Sequence, residues 1–373
     1  MSFFPLQVYA ERIARAQQLC KDKGISGLII GTGAQLAYLT GSWASTHERL
    51  TCLVIPASGT PKFILPAVDR AELPQTPIPE LDVEVEGWVD GKNPHELAVE
   101  PFRNELRGTI GVGQDLTADH LLKLQALLPN ATFVLASQVL SELFIRKDEA
   151  EIDQLRQAGA AIDRVHARVP ELLAEGRTER EVAAEIEKLI LEEHSAVDFI
   201  IVGSQENGAN PHHDFSDRML ETGDMVVVDI GGTYGHGYHS DCTRTYIVGG
   251  PEALTNTKAL SLYEVLFAAQ KAAVDAVRPG MTAKALDAIA RTPIAEAGFG
   301  EQFIHRTGHG IGLSTHEEPF IIEGNDLVLE EGMCFSIEPG IYLEGEVGAR
   351  IEDIVVVTAD GCERLNKQPR ILR

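Results

Sequence analysis

The chain has 373 residues, 44% of them hydrophobic, enough for two domains with cores of their own. Its 32 basic and 56 acidic side chains give a net charge of −24, a field that repels nucleic acid and anionic membrane surfaces. The start, MSFFPLQVYAER, lacks the basic-then-apolar pattern of a signal peptide, and no apolar run is long enough for a membrane span. Five cysteines at irregular spacing, with no CxxC, lead us to expect a reduced, cytoplasmic protein.

In chain order, YAERIARAQQLCKDKG reads as an amphipathic helix that stops at Gly24. SGLIIG, TCLVIPA, PKFILPA and TIGVG read as strands, and TADHLLKLQALLP as a helix. This predicts a mixed α/β domain over residues 1–147. The charged stretch Arg146-Lys147-Asp148-Glu149, inside a long helical run, marks the expected junction with a second domain over 148–373.

The second domain carries an internal repeat. Leu220, Gly223 and Asp229 recur 109 positions later as Leu329, Gly332 and Glu338. Gly176-Arg177-Thr178 is echoed by Gly280-Met281-Thr282, each a glycine stop followed by a threonine that opens a new helix. Glu181 completes a capping box with Thr178. We therefore expect one domain of two related helix-plus-strand halves.

Each half ends an apolar strand with an acid: Asp229 closes MVVVD and Glu338 closes CFSIE. Asp241 in HSDCTRT and Glu352 in ARIED follow on the return strands of two hairpins. Carboxylates beside buried strands are costly unless paired or bound to cations, and four together cannot all stay ionised alone. His309 lies in the glycine-rich HRTGHGIGLSTHEEP, where the backbone can approach closely. An oxygen-rich set with one imidazole suits two divalent ions of the Mn or Co type, with Zn also possible. A pair about 3.5–4 Å apart can activate water and polarise a carbonyl.

Taken in order, PHHDFSDR, GDMVVVDIGG, YHSDCTRT, HRTGHGIGLSTHEEP, GMCFSIEPGIY and GARIED resemble the pita-bread (M24) metallopeptidases, which include methionine aminopeptidases, aminopeptidase P and prolidases. The resemblance implies a pita-bread catalytic domain over 148–373. It implies two divalent metal ions per subunit, with manganese the first expectation, bound by Asp229, Asp241, His309, Glu338 and Glu352. It also gives His212 and His316 roles in holding substrate and assisting proton transfer. The N-terminal part, with YLTGSWASTHERL, is similar to the creatinase/prolidase N-terminal domain, and HEEPFIIEGN resembles the bacterial prolidase form. The overall class is thus α/β (α+β).

The function implied is hydrolysis of Xaa-Pro dipeptides by a metal-bridging hydroxide, with Glu338 passing a proton to the leaving nitrogen. A homodimer acting on small peptides with proline at the second position is expected, with neither nucleic acid nor membrane as partner. Alternatives are aminopeptidase P, acting on longer peptides, metal-free creatinase chemistry, and a non-catalytic pita-bread binding module. Two positions depart from the family pattern. Thr315 replaces an aliphatic residue, and Phe320 follows Pro319 where some prolidases carry an arginine for the substrate carboxylate. His47, Arg49 and Arg350 are the candidates for that role, and His305 is expected to line the substrate site. His213 reads as a loop residue, His236 and His239 as exposed or supporting positions, and Cys242 as an inert buried thiol.

Overall fold

The computed structural model describes residues 3–103 and 107–373, and the chain divides into two compact units, Met1–Phe144 and Ile145–Arg373. Among the described residues, no helix is long and apolar enough to cross a membrane.

The first unit is built on strands β1 (Gly27–Gly31), β2 (Cys52–Pro56), β3 (Lys62–Pro66), β4 (Glu84–Trp88), β5 (Thr109–Val112) and β6 (Thr132–Leu135). They form one sheet in the order β4-β3-β2-β1-β5-β6. The β1–β2 and β2–β3 pairs are antiparallel, while β3–β4, β1–β5 and β5–β6 are parallel. Helices α1 (Leu6–Lys23), α2 (Ala34–Thr40), α3 (Pro94–Val99), α4 (Ala118–Leu127) and α5 (Ser137–Phe144) accompany it. As the sequence predicts, α1 ends at Gly24, which takes the left-handed conformation glycine adopts without a Cβ penalty. Ile29, Val54, Ile64, Phe102 and Ile110 belong to one buried apolar cluster of this unit.

The second unit repeats one motif. Helices α6 (Glu149–Leu172) and α7 (Glu179–Glu193) precede strands β7 (Ala196–Ser204), β8 (Met225–Tyr234), β9 (Tyr238–His239) and β10 (Cys242–Ile247). Helices α8 (Thr257–Ala276) and α9 (Ala283–Ile294) precede β11 (Gly308–Gly310), β12 (Glu317–Ile321), β13 (Cys334–Ile337), β14 (Gly340–Leu343), β15 (Val347–Arg350), β16 (Asp353–Val357) and β17 (Cys362–Arg364). One sheet runs β10-β8-β7, with β9 paired to β8, and a second runs β12-β11-β13-β16-β17. β14 and β15 form a separate hairpin.

The repeat is written in hydrogen bonds. Gly176 N–H donates to Leu220 O at 2.9 Å and Leu220 N–H to Arg177 O at 2.8 Å; Gly280 N–H donates to Leu329 O at 2.8 Å and Leu329 N–H to Met281 O at 2.8 Å. Thr178 and Thr282 cap α7 and α9, and Thr178 forms the expected capping box with Glu181.

Strand alternation then fixes which side chains face the helices. Val226 and Val228 of β8 pack with Ile162, Val182 and Ile186 of α6 and α7. Phe335 and Ile337 of β13 pack with Ala273, Leu286 and Ala290 of α8 and α9. Each such buried aliphatic or aromatic side chain contributes roughly 1.5–3 kcal/mol. With a period of two, Asp229 and Ser336 must point to the opposite faces, away from the helices.

Candidate metal centre

Asp229 does not close its strand, as the sequence suggested. β8 continues to Tyr234, and Asp229 sits mid-strand, paired with Thr243 of β10. Its neighbours on both sides, β7 and β10, supply the ladder that carries the strand on past the acid. Asp241 immediately precedes β10, in phase with Thr243. Glu338 and Glu352 flank the terminal pair Ile337–Asp353 of the β13–β16 ladder, so both turn to one face.

The two halves interlock at β10. Glu352 N–H donates to Thr243 O at 3.1 Å, and the Thr243 hydroxyl donates to Glu352 Oε2 at 2.9 Å. Behind this contact, Arg244 pairs with Asp353 at 2.7 Å. All four acids are enclosed: Asp229 is 8% exposed, Asp241 4% and Glu352 1%, and only Glu338 is slightly more open.

His309 comes from β11. Its Nδ1–H donates to Gly310 O at 3.1 Å, which leaves Nε2 facing Glu338 Oε1 at 3.1 Å and Asp241 Oδ2 at 3.7 Å. Its N–H donates to Ser336 Oγ at 3.0 Å, and that hydroxyl donates to Glu338 Oε1 at 3.1 Å. The flanking glycines have a steric reason. A Cβ on Gly308 would collide with the Ser336 carbonyl oxygen, and one on Gly310 with that of Glu318.

The electrostatics are those of a crowded anionic nest. Burial, and then the charge of Asp229, push Asp241 well above the usual carboxylate range; burial and the charge of Asp241 do the same to Glu352. Burial would raise Glu338 too, but the hydrogen bond and charge of His309 hold it at about 2. Burial works against the His309 cation, yet Glu338 and Asp241 raise its pKa.

Cations suit this set. No donor among the described residues reaches the buried Asp229 Oδ1 or Glu352 Oε1. Asp241, His309 and Glu352 each offer a ligand atom within 4.8 Å of the others. Unpaired lone pairs beside an imidazole in its Nε2-ligating tautomer form a donor set for divalent metal.

The remaining candidates are distributed as follows. His316 reaches solvent, but its ring centroid is 4.0 Å from that of His309. Partial burial, then His309 and Arg306, lower its pKa to about 4. His212 is exposed, on a loop whose Asn210 side chain accepts from its N–H. His305 Nε2 accepts from the Tyr342 hydroxyl at 2.9 Å and its Nδ1–H donates to Arg306 O; burial lowers its pKa. Arg350 is 3% exposed and donates to Asp229 Oδ2 at 2.6 Å, Tyr342 OH at 2.7 Å, Thr243 Oγ1 at 3.1 Å and Pro211 O at 3.3 Å. That network orients Asp229 and leaves Arg350 little capacity for a substrate carboxylate. His47 and Arg49 lie in the first unit, between α2 and β2; His47 is exposed and Arg49 pairs with Asp90 at 3.0 Å.

Glu179 carries no local sequence signal that sets it apart. Fully buried at the start of α7, it accepts from Ser204 N–H and Oγ, Asn207 Nδ2, His213 Nε2, and Ser216 N–H and Oγ. Burial raises its pKa, but these donors win and hold it at about 2. His213 is therefore an anchor of the loop that carries His212. His239 is likewise engaged, with Asp198 Oδ2 at 2.6 Å and Leu313 O at 3.2 Å. Cys242 is buried, and burial raises its thiol pKa well above the usual value.

Comparison with known proteins gives two family matches. Residues 153–359 match metallopeptidase family M24, and residues 12–143 match the creatinase/prolidase N-terminal domain. A protein of Mycobacterium tuberculosis named "Probable dipeptidase PepE" is 53% identical over 370 residues, covering 99% of this chain and 97% of that protein. The Xaa-Pro dipeptidase of Lactobacillus helveticus is 38% identical over 355 residues, covering 93% and 94%. The crystal structure of dipeptidase PepE from Mycobacterium ulcerans superposes with a TM-score of 0.95 at 52% identity, covering 100% of this chain and 99% of that one.

Proposed function

The chain belongs to metallopeptidase family M24, and we propose that it is a dipeptidase of that family, hydrolysing Xaa-Pro dipeptides. The observation that carries this reading is the complete cluster Asp229, Asp241, His309, Glu338 and Glu352, in a chain alignable almost end to end with relatives named dipeptidase and Xaa-Pro dipeptidase. The five are its metal ligands, for two ions per subunit. Manganese is the ion its oxygen-rich, single-imidazole set favours.

Bound divalent ions would supply a nucleophile at neutral pH, by lowering the pKa of water, and would polarise the scissile carbonyl. The protein's own groups do the rest. Arg350 and Thr243 fix Asp229 and Glu352, so the acids keep their geometry as charge builds on the substrate. Glu338, ionised across the neutral range, takes a proton from the attacking water and delivers it to the leaving proline nitrogen. His316, neutral at pH 7, donates a hydrogen bond to the substrate carbonyl oxygen as it becomes an oxyanion, and His212 holds the substrate from the facing loop. Free cysteines suit a reducing compartment such as the cytoplasm. The family resemblance points to a homodimer.

The test is a panel of Xaa-Pro dipeptides against Xaa-Pro-Yaa tripeptides, with added Mn. Dipeptide cleavage with little tripeptide cleavage is the expected result. Preferred cleavage of the tripeptides would make the chain an aminopeptidase P, and cleavage of neither would sink the proline-directed reading.

A further inference from the structure

We infer that Arg306 is the residue that recognises the free carboxylate of a dipeptide substrate, an assignment that rests on the dipeptidase reading above. Arg306 stands three residues before His309, and its guanidinium lies 4.6 Å from the centre of the Phe320 ring. Phe320 is the partner of His309 in the β11–β12 ladder, so the two side chains share a face. The His316 ring lies tilted against that of His309, their centroids 4.0 Å apart. Arg306, Phe320, His309 and His316 therefore line one wall beside the carboxylates.

The state of the guanidinium is the second observation. It is half-buried, yet among the described residues it makes no hydrogen bond or ion pair. It is held by its aromatic platform alone, which fixes the plane and leaves the N–H edge free. Its field acts on the site, attracted by Glu338 and opposing a charge on His316. Other arginines of this unit are committed: Arg350 to Asp229, Arg244 to Asp353, and Arg291 to both oxygens of Asp287 at 2.8 and 2.9 Å. A partly desolvated cation without a counter-anion is costly, and a planar ligand carboxylate is the group its free fork fits best.

After cleavage of an Xaa-Pro dipeptide the leaving group is proline itself, so a carboxylate lies one residue beyond the scissile bond. In a longer peptide or an amide that position is uncharged. A fixed guanidinium on this wall therefore selects dipeptides, which Phe320, being apolar, cannot do.

The experiment compares Ala-Pro with Ala-Pro-amide, using the Mn-loaded wild type, Arg306→Met and Arg306→Lys. Metal content and melting temperature are measured on each, to confirm folding. The wild type should prefer the free acid. Arg306→Met should lose about 10–100-fold in kcat/KM on Ala-Pro, mainly through KM, with the amide unchanged within about twofold. Arg306→Lys, a point charge without the planar fork, should fall between. If folded, metal-loaded Arg306→Met kept the wild-type preference for the free acid, Arg306 would not be the recognition residue. A wild type that cleaves both substrates equally would overturn the assignment while leaving Xaa-Pro cleavage standing. A wild type that cleaves neither would remove the dipeptidase reading, and this assignment with it.

Discussion

The two halves of the second unit share a backbone plan but hold their histidines differently. In the first half, Glu179 follows the capping Thr178 and gathers the loop of Ser204, Asn207, His213 and Ser216 around one buried carboxylate. At the equivalent place after Thr282 the second half has Ala283, which packs into the core. There the His309 segment is held by strand pairing with β12 and β13, and by Asp287, which accepts from the Thr307 hydroxyl at 2.7 Å. Repetition preserves the frame that aims the strands, while the side chains beside it specialise. His309, inside a sheet, is suited to a fixed ligand role. His212 is exposed, on a loop anchored to Glu179 through its neighbours His213 and Ser216.

The sharpest break of this comparison is at the proposed metal ligands, to which both halves contribute. Exhaustive chelation should abolish activity and lower the melting temperature, and Mn should restore both, because the acids repel one another without cations. Full activity in verified metal-free protein would end the two-metal reading. The next largest effect separates the histidines. His309→Ala should lose metal along with activity. His316→Ala should keep its metal and lose about 10²–10⁴-fold in kcat/KM, the range for positioned acid–base or oxyanion groups. Metal loss in His316→Ala, with both ions retained in His309→Ala, would reverse the two roles.

The parts legible in the sequence were those with local signatures. Thr178 and Thr282 announce helix starts, the matched glycines announce the repeat, and acids set against MVVV and CFSI are conspicuous because their neighbours are apolar. What stayed hidden depends on pairing between distant segments. Glu179 looks like any first-turn acid favoured by the helix dipole, and its partners lie 25–37 residues away. Arg350 reads as a free cation until Asp229, 121 positions earlier, is seen beside it. Strand β4, EVEGW, is not legible as a strand because its acids obscure the apolar signal; its Glu84 is exposed, and only its Trp88 is buried.

The smallest effect expected concerns the Glu179 anchor, and it tests whether the two halves differ as argued. Replacing Glu179 with Gln keeps the shape but puts an amide N–H₂ where donors converge, so some of Ser204, His213 and Ser216 must lose an acceptor. One buried unsatisfied group costs about 1–3 kcal/mol. The variant should melt several degrees lower and lose about tenfold or less in kcat/KM as the His212 loop loosens, with metal content unchanged. Its pH behaviour gives a more specific signature. The folded-state pKa of about 2 lies below the ordinary 4.5, so ionised Glu179 contributes stability that is fully present above pH 4.5. That contribution declines as pH falls through this window and is gone below about 2. The wild type should therefore lose its stability advantage over Glu179→Gln between pH 4.5 and 2, and the two melting curves should converge in acid. Ala283→Ser, at the corresponding place in the other half, should show no such convergence, since no carboxylate there collects the loop. A gap between wild type and Glu179→Gln that stayed constant down to pH 2 would mean that the carboxylate's charge does not hold the loop.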